Sequence, residues 1–119
     1  MPKMYIAGPM SGYPEFNFLN FYRVEEVLKK MGYEVFNPAS KDAEKELDDA
    51  AYAVGDTDKA AEAGFDFRSA YLWDVSKVIE ADGTFMLAGW QHSPGAIGEH
   101  SVAVAMKRHY PEYEIHYEE

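Results

Sequence analysis

The sequence predicts a single α/β domain of the doubly wound, Rossmann or flavodoxin-like kind. Its mainly parallel sheet would have roughly four to five strands, with helices on both faces. Three observations carry this expectation. The apolar stretch Met4-Tyr-Ile-Ala7 is broken sharply by Gly8-Pro-Met-Ser-Gly12 and gives way to a helical pattern, the usual first unit of such a fold. A second hydrophobic run, Thr84-Phe-Met-Leu-Ala88, reads as a buried strand, and it too turns into a helix. Elsewhere, segments of helical and strand period alternate, as parallel strands joined by crossover helices require.

The elements follow in order. From Pro14 to Met31, Phe18, Phe21, Val24, Val27, Leu28 and Met31 recur at spacings of three and four, while Arg23, Glu25, Glu26, Lys29 and Lys30 take the other side. Gly32 stands where a left-handed residue ends a helix. Tyr33-Glu-Val-Phe36 reads as the second strand, stopped by Asn37-Pro38. Between Lys41 and Asp66 nine acids face three bases, so this stretch carries −6 of the net charge of −10. The 41–67 region is therefore expected to be an acidic, solvated insertion or lid. Phe67 to Glu80 returns to helical spacing, with Phe67, Tyr71, Val75 and Val78 along one side. Asp82 suits a turn at the entry to the next strand, and Gly89-Trp-Gln-His92 turns the chain after it. Ser93-Pro94 then opens a helix with a hydroxyl at the N-cap and proline at the first helical position. On this helix Val102, Ala103 and Met106 should pack on the sheet, and Lys107-Arg-His109 complement its negative end. Glu112-Tyr-Glu-Ile-His-Tyr117 reads as a last, edge-like strand. Residues 1–119 thus form one domain.

Composition narrows the function classes. With 47% hydrophobic and 15% aromatic residues the chain is globular. Twenty-one acidic against 11 basic residues argue against a nucleic-acid polymer as partner. The absence of cysteine excludes disulfides, thiolate catalysis and zinc ribbons. The first residues lack a signal-peptide pattern and no apolar run approaches membrane-spanning length, so a soluble cytoplasmic protein without membrane partners is expected. The four histidines are scattered, with no metal-ligand spacing, and no metal or cofactor is expected.

The chemistry is sought at the carboxyl ends of the strands, where ligands of doubly wound folds gather. Gly8–Gly12 is neither a dinucleotide fingerprint nor a P-loop, since no Gly-Lys-Ser/Thr follows. Ser11 and Ser93 lack the frame of a nucleophile elbow. At Ser93–Gly98 the unpaired N–H groups and dipole of a helix start offer an anion site. Gly95 and Gly98 leave its first turn bare for close approach of a ligand. Glu99 lies about 9 Å along the axis from Ser93 at the standard helical rise. Asp74 is either an exposed charge or a group reaching over the strand ends toward Glu99. Two carboxylates beside an anion site suit cleavage of a glycosidic bond through an oxocarbenium-like transition state. A plain strand, turn and capped helix accounts for the same spacing.

Tyr5-Ile-Ala-Gly-Pro-Met-Ser-Gly12, Asn37-Pro-Ala39, Tyr71-Leu-Trp-Asp74, Asp82 and Gly89-Trp-Gln-His-Ser-Pro-Gly-Ala-Ile-Gly-Glu99 together resemble the nucleoside 2-deoxyribosyltransferase superfamily. The likeness runs from Tyr5 to about Met106, apart from the acidic stretch, and is strongest to a compact bacterial and phage branch. The resemblance implies that Glu99 attacks the anomeric carbon and forms a covalent deoxyribosyl-enzyme. It makes Tyr5 the residue that orients that carboxylate, and Asp74 the aspartate that assists the departing base. Gly8, Pro9, Met10, Ser11 and Gly12 match the loop around the sugar and its 5′ end. Ser93 departs from the transferases, which carry an aspartate there, and is similar to nucleotide N-glycosidases, whose serine contacts a 5′-phosphate. A hydroxyl at an N-cap, with the amides of Gly95 and its neighbours, suits a dianion that an aspartate would repel. The basic residue of the glycosidases' first loop has no counterpart in Gly8–Gly12.

The expected activity is cleavage of the N-glycosidic bond of a (2′-deoxy)nucleoside 5′-monophosphate, with water resolving the Glu99 adduct. One alternative is 2-deoxyribosyl transfer, in which a second base resolves it. The other is a nucleotide-binding module without catalysis. In each case the partner is a small nucleoside or nucleotide. The superfamily's habit of completing sites across subunits implies a homodimer or higher homo-oligomer, with Tyr113–Glu119 as a candidate for that contact.

Overall fold

Alternation along the first strand sets the architecture. In β1 (Lys3–Ala7), Met4, Tyr5, Ile6 and Ala7 are all fully buried, yet successive side chains point to opposite faces of a sheet. Met4 and Ile6 join a cluster with Phe16, Phe18, Phe21, Val24 and Leu28. Tyr5 and Ala7 join another with Val78, Met86, Ala96, Ala103 and Tyr113. Two cores on one strand mean that both faces are covered. The computed structural model describes residues 1–10, 12–42 and 66–119, without the side chains of 41 and 42.

Among the described residues the sheet has four strands, all parallel, in the order β2-β1-β3-β4. They are β1, β2 (Glu34–Phe36), β3 (Gly83–Met86) and β4 (Glu114–Tyr117). Tyr5 sits beside Phe36 and Thr84, and Met86 lies between Ala7 and Tyr117. The carboxyl ends of the strands therefore share one side. Helix α1 (Phe18–Lys30) covers one face, while α3 (Phe67–Glu80) and α4 (Pro94–His109) pack together on the other. A short helix, α2 (Pro38–Asp42), follows β2. This is the doubly wound α/β domain that the sequence predicts. Among the described residues no helix is long and apolar enough to cross a membrane.

Local chemistry explains most boundaries. Gly32 takes φ +96° after α1, as a left-handed terminator does. Asp66 caps α3 by accepting the amides of Arg68 and Ser69. Asp82 accepts the Lys3 amide at 2.7 Å and so ties the start of β3 to β1, the turn role expected of it. Val102, Ala103 and Met106 of α4 pack on the sheet, and three basic residues occupy its last turn.

Three features differ from the sequence reading. The helix expected from Pro14 begins only at Phe18, because Glu15, Phe16 and Asn17 adopt left-handed φ of 54°, 52° and 63° in a preceding 3-10 turn. Such a conformation costs about 1–2 kcal/mol per non-glycine residue. Burial of Phe16 in the α1-side core and a bond from the Asn17 side-chain Nδ2 to the Pro9 carbonyl offset it. On α1 the buried stripe runs through Phe18, Phe21, Val24 and Leu28, whereas Val27 and Met31 stand 49% and 65% exposed at its flank. Finally, Asn37 ends β2 but also starts α2. Its side chain accepts the Ala39 amide at 2.9 Å and donates to Glu25 at 3.0 Å, which satisfies a buried amide. The 43–65 part of the acidic stretch lies outside the described residues.

Candidate active site

Tyr5 is the anchor. Strand alternation turns it toward α4, and a fully buried phenol needs a hydrogen-bond partner. That partner is Glu99, whose Oε2 accepts the Tyr5 hydroxyl at 2.6 Å. Glu99 itself is only 4% exposed. A carboxylate in such a place is costly unless hydrogen-bonded, and bonds to charged groups contribute about 1.5–3 kcal/mol. Glu99 is thus held in a defined orientation by a residue of the central strand β1.

The helix that carries it is capped as the sequence predicts. Ser93 has extended φ and ψ of −114° and 114°, and its Oγ accepts the Ala96 amide at 3.3 Å. Pro94 occupies the first turn. The Ser93 hydroxyl keeps its own hydrogen for donation, beside the first amides of α4. Upstream, Gly89 turns the chain with φ +88°, and a β-carbon there would lie 2.9 Å from the Tyr13 hydroxyl.

Asp74 reaches the same region from α3. It is half-buried, one helical turn beyond Tyr71. Burial raises the Tyr71 phenol above its ordinary value, and the negative charges of Glu99 and Asp74 raise it further. Both carboxylates therefore act on one phenol. In the sequence Tyr71 stands out only within a motif and along a packing face. The structure gives it more to do. Its hydroxyl donates to the Gly95 carbonyl at 2.7 Å, and its ring lies 3.4 Å from a β-carbon built on Gly95. A β-carbon on Gly98 would collide with the Tyr71 hydroxyl. The clearance expected to admit a ligand at Gly95 and Gly98 is on this side filled by Tyr71, which locks α3 to α4. A bulky residue three positions before Asp74, facing Gly-x-x-Gly, was the available signal.

The first loop is built for contact between β1 and β3. A β-carbon on Gly8 would lie 2.7 Å from the Leu87 side chain. Pro9 is buried and its carbonyl accepts from the Asn17 side-chain Nδ2, while Met10 packs against the α1-side core. Gly12 takes φ +82° at an exposed turn. Ser11 lies outside the described residues. Of the candidate residues, the structure brings Tyr5 and Glu99 into direct contact, and Asp74 stands close enough to the Tyr71 hydroxyl for its charge to be felt there, as that of Glu99 is. Ser93 and Gly95 stand at the start of the same helix, and the side chain of Met10 is committed elsewhere.

No curated protein and no solved structure matches the chain. A family model does, over residues 2–110, a span that runs from β1 through α4. The match covers most of the chain and includes Tyr5, Asp74, Ser93 and Glu99; the chain therefore belongs to the DUF4406 family, a domain of unknown function.

Proposed function

We propose that this protein cleaves the N-glycosidic bond of a (2′-deoxy)nucleoside 5′-monophosphate, as a relative of the nucleoside 2-deoxyribosyltransferases. The observation that carries the reading is the buried Glu99 carboxylate oriented by the Tyr5 hydroxyl at 2.6 Å. In the first step a Glu99 oxygen bonds to C1′ as the C1′–N bond breaks. The bonding pair leaves with the base, which takes a proton from the Asp74 carboxyl. In the second step a water gives its proton to Asp74 and its oxygen bonds to C1′. The Glu99 carboxylate is then released, the sugar phosphate departs, and the configuration at C1′ is retained.

The 5′-phosphate is assigned to the Ser93 hydroxyl and the leading amides of α4, where the helix dipole favours an anion. The reading includes a cytoplasmic location and association of copies. Exposed Leu72, Ile79 and Ile97 on α3 and α4 support association, which sedimentation velocity checks by showing more than the monomer mass.

Incubation with dCMP, dTMP, dGMP and dAMP, with and without a second free base, tests the chemistry by chromatography. Free base and sugar phosphate are the expected products. A new nucleotide formed from the added base would show transfer instead. Tight binding without turnover, equal in Glu99→Ala, would reduce the protein to a nucleotide-binding module.

A further inference from the structure

We infer that Tyr117 and Glu118 are positioning residues that clamp the 88–93 turn, and with it the start of α4, from within the same chain. The consequence for substrate rests on the reading above; the clamp itself does not. Tyr117, the last residue of β4, and Glu118, which follows it, point to opposite faces of the sheet, and each grips the turn from its own side.

On the α1 side, the Glu118 amide donates to the Met86 carbonyl at 2.8 Å and extends the strand ladder by one step. Its carboxylate then accepts the Ala88 amide at 3.0 Å, an N–H where the chain leaves β3 for the Gly89 turn. Arg23 pairs with the other carboxylate oxygen, and the Asn20 amide lies 3.5 Å from the first. These donors hold the Glu118 carboxyl below its ordinary range although burial opposes them.

On the α4 side, the Tyr117 hydroxyl lies 2.7 Å from His100 Nε2. The His100 ring stacks on Trp90 of the turn, with centroids 4.3 Å apart and planes at 30°. The Tyr117 ring completes the cluster at 6.1 Å from Trp90 and 5.7 Å from His100. His100 follows Glu99 directly, so the cluster also bears on the helix turn that holds the buried carboxylate. Both clamp residues lie beyond the 2–110 span of the family match.

Hydrogen–deuterium exchange of the full chain tests the clamp without substrate. Glu118→Ala should speed exchange of the 88–93 amides about tenfold, the factor that a lost bond to a charged group sets, and leave β1 and α1 unchanged. Tyr117→Phe should accelerate the same amides. Glu118→Gln, which keeps an oxygen to accept from Ala88, should recover most of the protection. Unchanged exchange of the turn in either Glu118→Ala or Tyr117→Phe, or uniform acceleration across the sheet, would overturn the inference. With a nucleotide monophosphate that the unaltered chain turns over, Glu118→Ala should raise KM about tenfold and hold kcat within about twofold, because the turn presents the anion-binding amides rather than the attacking carboxylate. A loss confined to kcat would refute the positioning role. If the unaltered chain turns over no nucleotide, the exchange experiment still decides the clamp.

Discussion

Tyr5 and Glu99 stand 94 positions apart and meet in a buried bond of 2.6 Å, so each fixes the other's rotamer. Tyr5→Phe would leave the carboxylate short of a donor, whereas Glu99→Gln keeps size and removes the proposed nucleophile. Glu99→Gln should therefore lose essentially all turnover while remaining folded by circular dichroism. Ser93 allows a finer test. Ser93→Asp preserves a good N-cap, so stability should change little. The new carboxylate would repel a phosphate by about 1–4 kcal/mol at 4 Å in a watery to half-buried setting. KM for a nucleoside monophosphate should rise tenfold or more, and that for the free nucleoside should not; equal effects on both would remove the phosphate from this site. Ser93 was legible because capping is local: hydroxyl, proline and helix start lie within a few residues. The Tyr5–Glu99 bond was not, since nothing in either neighbourhood names its partner, and only the likeness of the two motifs to a known superfamily joined them.

At the scale of elements, the junction of α3 and α4 decides where Asp74 and Glu99 stand. Tyr71 fills the space over Gly95 and Gly98, so Gly98→Ala should destabilise by about 1–3 kcal/mol as overpacking does. Removing the Tyr71 hydroxyl opens that space. In a Tyr71→Phe background the cost of Gly98→Ala should fall by about half or more, read from urea midpoints in a double-mutant cycle. Strictly additive costs would mean that the two do not touch. Gly-x-x-Gly looks alike in sequence whether it admits a ligand or a neighbouring side chain, and periodicity cannot separate the two. The left-handed run at Glu15–Asn17 was hidden for a related reason. No glycine marks it, and it is held by Phe16 in the core and by the Asn17–Pro9 bond. The parallel sheet was legible in kind, through β1 and the hydrophobic run after Asp82, because buried strands of this class read as continuous apolar stretches, whereas the strand order was not.

For the whole molecule, titration sets the limits of stability. Glu114 and Glu118 are held below their ordinary 4.5 in the folded chain, Glu114 chiefly by His116 and Glu118 by Ala88, Arg23 and Asn20 against its burial. The unfolded chain binds their protons first, so their contribution is full above 4.5 and fades as pH falls through the folded values. Burial also lowers His100 from 6.5, which has the same sign and begins to act below that pH. Tyr113, raised from 10.0 mainly by burial, has its proton removed first in the unfolded state, so stability also falls above that pH. The urea midpoint should plateau between these limits and decline on both sides, with a shallower acid limb in Glu118→Ala; an acid limb of unchanged slope would separate Glu118 from acid stability. The same frame brings the strand ends, the capped helix and both carboxylates to one side of the sheet, where the proposed chemistry takes place. That chemistry leaves a covalent mark. Protein mixed with a deoxynucleoside monophosphate, quenched rapidly in acid and digested should yield the peptide containing Glu99 heavier by one deoxyribose phosphate unit, and Glu99→Gln should not. Turnover without that adduct, or an adduct on any other residue, would contradict the account.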